Sequence, residues 1–245
     1  MGEKLKNPPL LEALCEFRFQ PDDPWDWTVP GRFYEKVKDQ FPLREEVRGV
    51  SIHVDARSGM STPPTVSPQR IRFKNSANSA MLQCGPRFLA VNQLQPYSRW
   101  EAFRALILEA FEKYVSVVEE ITLARIGLRY INRIALSAGE APSEKITVFP
   151  AFPKPLQKPA PAFFQRYELQ YEEPPRGTLL HQTGVAREGD KTFVMLDLDH
   201  VSEDVEELAK HETLSSWLDA VHDRIYDAFV ASIPQDLYRR FKGGE

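Results

Sequence analysis

Residues 121–136 read ITLARIGLRYINRIAL. Ile126, Leu128, Tyr130 and Ile134 fall on one parity of this run, and Arg125, Arg129 and Arg133 on the other. A period of two held over such a length predicts a long strand with one buried and one wet face.

The same alternation recurs downstream. Phe164 to Glu172 sets Tyr167, Leu169 and Tyr171 against Arg166, Glu168 and Gln170, and Thr178 to Ala186 resumes after the Pro174-Pro175 turn. Gly189-Asp190 then turns the chain into Lys191 to Asp199, where Val194, Leu196 and Leu198 face inward, so Asp197 and Asp199 share the opposite face.

Upstream, Ala13 to Gln20 turns Cys15, Phe17 and Phe19 one way and Glu16 and Arg18 the other. Val47 to Asp55 reads as a strand, followed by an exposed, mobile loop carrying Pro63, Pro64 and Pro68. From Gln69 to Asn75, Ile71 and Phe73 point inward and Arg70, Arg72 and Lys74 outward; Met81 to Asn92 reads as two strands hinged at Gly85-Pro86.

Three segments switch to helical spacing. Gly31 to Phe41 places Phe33, Val37 and Phe41 four apart. Trp100, Phe103, Ile107, Phe111, Tyr114 and Val118 form a stripe that opens on capping-box spacing between Ser98 and Glu101. Leu214 to about Ile233 buries Leu214, Trp217, Leu218, Val221, Ile225 and Phe229, and Pro234 ends it. The aromatic stripe is read as core contact with the sheet rather than as a cofactor face. The expected fold is α+β: a mostly antiparallel sheet with two long helices packed on one face and a polar opposite face.

The order, strands then a long helix and again strands then a long helix, suggests a fused duplication. Ser98-Arg99-Trp100 and Glu109-Ala110-Phe111 echo Ser215-Ser216-Trp217 and Asp227-Ala228-Phe229. One α+β domain over 1–245 is expected, with pseudo-halves 1–120 and 121–245. A crossover at 141–161 carries prolines at 142, 150, 153, 155, 159 and 161. That stretch is read as an extended surface spacer in preference to a polyproline ligand.

Composition bounds the partners. The chain of 245 residues is 42% hydrophobic and 27% charged, enough to bury a core unaided, which excludes disordered and collagenous classes. A formal charge of -4 gives no global preference for nucleic acid or anionic membrane. No apolar run approaches the roughly 18 residues of a membrane span, and the opening residues lack a signal-peptide core, so a cytoplasmic protein is expected. Lys6 stands where myristoylation wants Ser or Thr. Cys15 and Cys84, far apart in apolar strands, read as buried reduced thiols. The five histidines do not assemble, and there is no Gly-x-Ser-x-Gly elbow, Walker loop or GxGxxG.

Asn7 to Phe19 (NPPLLEALCEFRF), Met81 to Asn92 (MLQCGPRFLAVN), Tyr97 to Phe103 (YSRWEAF) and Gly127 to Ile134 (GLRYINRI), in that order, resemble a sporadically distributed family of uncharacterised prokaryotic proteins of similar length. The resemblance implies a patchy, mobile-island occurrence like that of phage-defence or toxin-antitoxin components. It implies no activity.

The polar sheet face holds the candidate chemistry. Arg125, Arg129, Arg133, Arg70, Arg72 and Lys74 either form cross-strand ion pairs with its carboxylates or converge on an anion, gripped through their planar forks. Arg129 and Arg133, roughly 13 Å apart along a strand, suit two phosphates of an extended ligand. Asp197 and Asp199 are the candidate metal ligands, able to hold Mg²⁺ beside a bound phosphate. The reading adopted is a non-enzymatic binding or interaction protein with no cofactor, whose partner is a protein, a second copy of itself or an anionic small molecule. The alternatives are a metal-dependent enzyme acting on nucleotide or polyphosphate, and an RNA-binding protein.

Overall fold

The computed structural model describes residues 5–51, 65–97, 99–118, 120–149, 153–156, 158, 162–203 and 205–243. The strands are β1 (Leu10–Phe19), β2 (Leu43–Ser51), β3 (Thr65–Lys74), β4 (Ala80–Gly85), β5 (Phe88–Leu94), β6 (Leu123–Leu136), β7 (Phe164–Tyr171), β8 (Gly177–Glu188) and β9 (Lys191–Glu203). The helices are α1 (Val29–Val37), α2 (Trp100–Val115), α3 (His211–Ser232) and α4 (Gln235–Lys242). The fold is α+β, an antiparallel nine-stranded sheet in the order β2-β3-β4-β5-β1-β6-β9-β8-β7 with helices packed against it. Among the described residues no helix is long and apolar enough to cross a membrane.

The chain divides into two compact units. An N-terminal unit comprises Glu16–Ala124; a C-terminal unit comprises Arg125–Glu245 with the chain's start up to Cys15, so β1 contributes to both.

The N-terminal unit is held by aromatic packing. Phe17 stacks on Phe111 at 4.6 Å and Phe19 on Tyr114 at 5.3 Å, while Phe33 meets Tyr114 edge-on at 5.6 Å. Tyr114 is fully buried, so the α2 stripe is core, as its spacing predicts. Helix α2 begins after Arg99, which provides no side-chain cap; Ser98 lies outside the described residues. Strand β2 starts four residues before its expected position, and residues 52–55 of the expected strand lie outside the described residues. Pro68, read as loop, belongs to β3, where it pairs with Arg48 beside a register shift between Val47 and Arg48. An irregular pairing is where a residue without an N–H is accommodated. Pro63 and Pro64 lie outside the described residues.

In the C-terminal unit, α3 buries all six residues that the helical spacing selects. Pro234 ends that helix, and the short α4 that follows escaped the sequence reading because only Leu237 on it is buried. Contacts from Phe241 to Phe229 at 6.3 Å and from the Asn7 N–H to the Phe241 carbonyl at 3.0 Å hold α4 in place. The proline-rich crossover is not uniformly extended, since its described parts form 3-10 turns at Pro142–Glu144 and Lys154–Leu156. Its buried Ile146 leads to Thr147, whose N–H and hydroxyl donate to the carbonyls of Ser232 (2.9 Å) and Ala231 (2.6 Å). These bonds satisfy acceptors that the end of α3 leaves open. Cys15 and Cys84 are both buried and unbridged, and burial pushes the Cys84 thiol up.

Candidate functional site

Strands β6 and β9 pair so that Arg125, Arg129 and Arg133 stand opposite Glu203, Asp199 and Met195. Arg129 reaches diagonally instead. Its Nε donates to Asp197 Oδ1 at 2.8 Å and a terminal amine donates to the other oxygen, a fork-on-fork pair that holds the guanidinium pKa up. Arg133 donates to Glu188 at 2.9 Å and lies 4.8 Å over the Phe193 ring. Two of the three expected anion-binding arginines on β6 are thus taken by carboxylates of their own unit. Asp197 in turn is spent on Arg129. Among the described residues, no three His, Cys, Asp or Glu side chains stand together as a metal would need.

Arg125 borders an open cleft of about 1290 Å³ in the same unit. Glu168, Glu203, Glu207 and Glu212 line it, with Arg176 the one further cation among the described residues, and Trp217 gives it an apolar wall. The wall is fixed: Trp217 Nε1 donates to Ser202 Oγ at 3.1 Å, and that hydroxyl donates to the Arg176 carbonyl at 2.5 Å. Against the same tryptophan packs His200, fully buried, whose pKa is lowered to about 4 by burial and then by the Arg224 charge.

The N-terminal unit treats its arginines differently. The outward face of β3 carries Arg70, Arg72 and Lys74, and Glu45 of β2 serves Lys74 at 2.5 Å and stands 4.0 Å from Arg72. Arg72 Nε donates to Gln83 Oε1 at 3.2 Å, and Gln83 Nε2 donates to Asn92 Oδ1 at 2.8 Å. Gln83 and Asn92 are both buried, so this chain across β3, β4 and β5 fixes the Arg72 guanidinium in one direction.

Arg70 has no such partner. It is half-buried, and its Nε is buried without a hydrogen bond among the described residues. Burial, then the Arg72 charge, holds its pKa below the usual arginine value; Glu16 opposes this and Arg18 adds to it. A Cβ added to Gly85 would lie 2.6 Å from the Gln69 carbonyl and 3.2 Å from Arg70 Cβ, so only glycine admits this approach of β3. Gly85 pairs with Phe88, and the Arg18 guanidinium lies 4.6 Å over the Phe88 ring while its Nε donates to Glu16 Oε1 at 2.8 Å. Arg18 and Arg70 therefore approach one Gly85–Phe88 step from two sides. Among the described residues this face sets four cations, Arg18, Arg70, Arg72 and Lys74, against the carboxylates Glu16 and Glu45.

The six expected anion-binding residues thus separate by unit: Arg125, Arg129 and Arg133 in one, Arg70, Arg72 and Lys74 in the other. The sequence reading did not single out Gln83, Asn92 or Gly85 as part of a site. Their signal was a polar or missing side chain at the outward parity of otherwise apolar strands. Compared with known proteins, the chain matches no family model and no curated sequence.

Proposed function

We propose that the protein is a non-enzymatic binding protein, and that an anionic ligand seats on Arg18, Arg70 and Arg72 of the N-terminal unit. The observation that carries the reading is Arg70, a half-buried arginine whose Nε is buried without a hydrogen bond among the described residues, beside two further guanidiniums. Desolvating a cation without compensation is unfavourable, and an oxyanion seated there would restore both charge balance and hydrogen bonds. Arg72, already aimed by Gln83, would lose little freedom on binding. A binding component is also what the island style of occurrence implied by the family resemblance would accommodate. The metal-dependent alternative needs Asp197, which Arg129 occupies.

Calorimetric titration with inorganic pyrophosphate, followed by ATP and short RNA with and without Mg²⁺, tests the reading. Pyrophosphate is expected to bind, with affinity about tenfold or more weaker in Arg70→Ala, the scale of one charged hydrogen bond. Arg133→Ala should leave it unchanged. Equal affinity in Arg70→Ala overturns the site, and ATP turnover abolished by Asp197→Asn overturns the non-enzymatic assignment.

The cleft of the C-terminal unit supports a second reading. Its four carboxylates beside Trp217 suit a basic, partly apolar segment of a protein partner.

A further inference from the structure

The sheet ends in two edge strands of opposite character. Edge strand β2 carries Arg44, Glu45, Glu46 and Arg48 and a register irregularity, the devices that discourage strand addition. Edge strand β7, FQRYELQY, is regular against β8 over its whole length and carries only Arg166 and Glu168 as charges. Three of the seven large exposed apolar side chains of the described residues, Phe164 at 70%, Tyr167 at 42% and Leu169 at 46% exposure, lie on this one strand.

We propose that β7 pairs antiparallel with β7 of a second copy of this chain, about a two-fold axis at Tyr167. The backbone sets the phase. The Val185 N–H donates to the Phe163 carbonyl at 3.3 Å, in register with the Phe164↔Gly184 pair, so odd-numbered residues of β7 turn their backbone groups toward β8. The N–H and C=O groups of Phe164, Arg166, Glu168 and Gln170 therefore point away from β8, to the side on which no strand pairs among the described residues.

Two copies related at Tyr167 bring those even-numbered residues opposite one another. Arg166 then faces the second copy's Glu168, and Glu168 its Arg166, while Phe164 faces Gln170. All are hydrogen-bonded positions of the new ladder, giving about eight backbone hydrogen bonds. The register that satisfies the backbone is thus the one that pairs opposite charges twice. Within one chain Arg166 and Glu168 contact each other at 2.8 Å on the exposed surface, a pairing of small value that dimerisation exchanges for two pairs across the axis. Tyr167 meets its own copy in a non-hydrogen-bonded pair, where side chains come closest. The association is isologous and closed, which an edge strand needs if it is not to propagate.

Sedimentation equilibrium of the full chain over a wide concentration range reads the proposal. The wild type should dimerise. Arg166→Glu and Glu168→Arg each oppose like charges twice and should weaken the dimer about tenfold, and the double swap R166E/E168R should restore it. Glu168→Pro removes only an outward N–H, so the variant should keep wild-type circular dichroism and be monomeric. Tyr167→Cys should give a covalent dimer under mild oxidation, because the paired Cβ atoms lie near disulfide distance. A monomer at every concentration, a dimer indifferent to Glu168→Pro, or single swaps that the double swap fails to rescue would each overturn it.

Discussion

Arg129 and Arg70 are the same residue type on the face of a strand opposite its apolar positions, yet they meet opposite fates. Arg129 is clasped by both oxygens of Asp197; Arg70 has burial and the Arg72 charge, offset in part by Glu16, and an Nε without a hydrogen bond among the described residues. What separates them is the strand alongside. Strand β9 offers carboxylates at positions 197 and 199, whereas β4 offers Gln83 and Gly85. Arg129 is thus neutralised by a carboxylate of the adjacent strand, whereas the strand beside Arg70 supplies none. Whether an arginine on a sheet face is paired is set by its neighbours' chemistry more than by its own.

The largest effect should come from opening the closed pair. Asp197→Ala leaves Arg129, about a third exposed, without its carboxylate, and after allowance for that exposure should cost about 3 kcal/mol in urea unfolding. Arg70→Met removes a half-buried cation whose Nε has no hydrogen bond to lose among the described residues, and should be neutral or stabilising by up to about 1 kcal/mol. Equal costs for the two variants would erase the distinction between the faces.

Acid should sharpen it next. The C-terminal unit buries His200 and His181, and burial holds both imidazoles below their ordinary pKa, His200 to about 4. The unfolded chain, with a histidine pKa near 6.5, binds more protons between those values. Stability is therefore full above about pH 6.5 and falls as pH drops toward 4, by about 2 kcal/mol at pH 5 for His200 alone. Unfolding measured at both ends of that range should show the loss in the wild type and a flatter dependence in His200→Asn. The same pH slope in the variant would assign the loss to other groups.

Much of this molecule was legible before its structure. The parity of 121–136 located β6 to within two residues, and the spacing of Trp217, Val221 and Ile225 located α3, because burial on one face writes a period into the chain. The state of the arginines was not legible. Parity places Arg129 and Asp197 on the same face, but their contact depends on the β6–β9 register, which pairs Arg129 with Asp199 and leaves Asp197 on the diagonal. Arg70 depends in the same way on a glycine one strand over. Proline misled where Pro68 was read as loop, since a pairing irregularity admits it to β3. Helix α4 carries too short an apolar stripe to register.

Arg133 lies between the two extremes and gives the finest test. Its partner Glu188 is 73% exposed, next to the Gly189 turn, so water already solvates the carboxylate and screens the pair. The guanidinium is held as well by the face of Phe193, a contact that does not depend on Glu188. Glu188→Gln should therefore change stability by less than about 0.5 kcal/mol, far below Asp197→Ala on the same face of the sheet. Added salt should leave even that small difference indistinguishable from zero. A cost near that of Asp197→Ala would mean that the β6 arginines act as one network whose carboxylates cannot be removed singly, and the contrast with Arg70 would then belong to whole faces rather than to individual pairs.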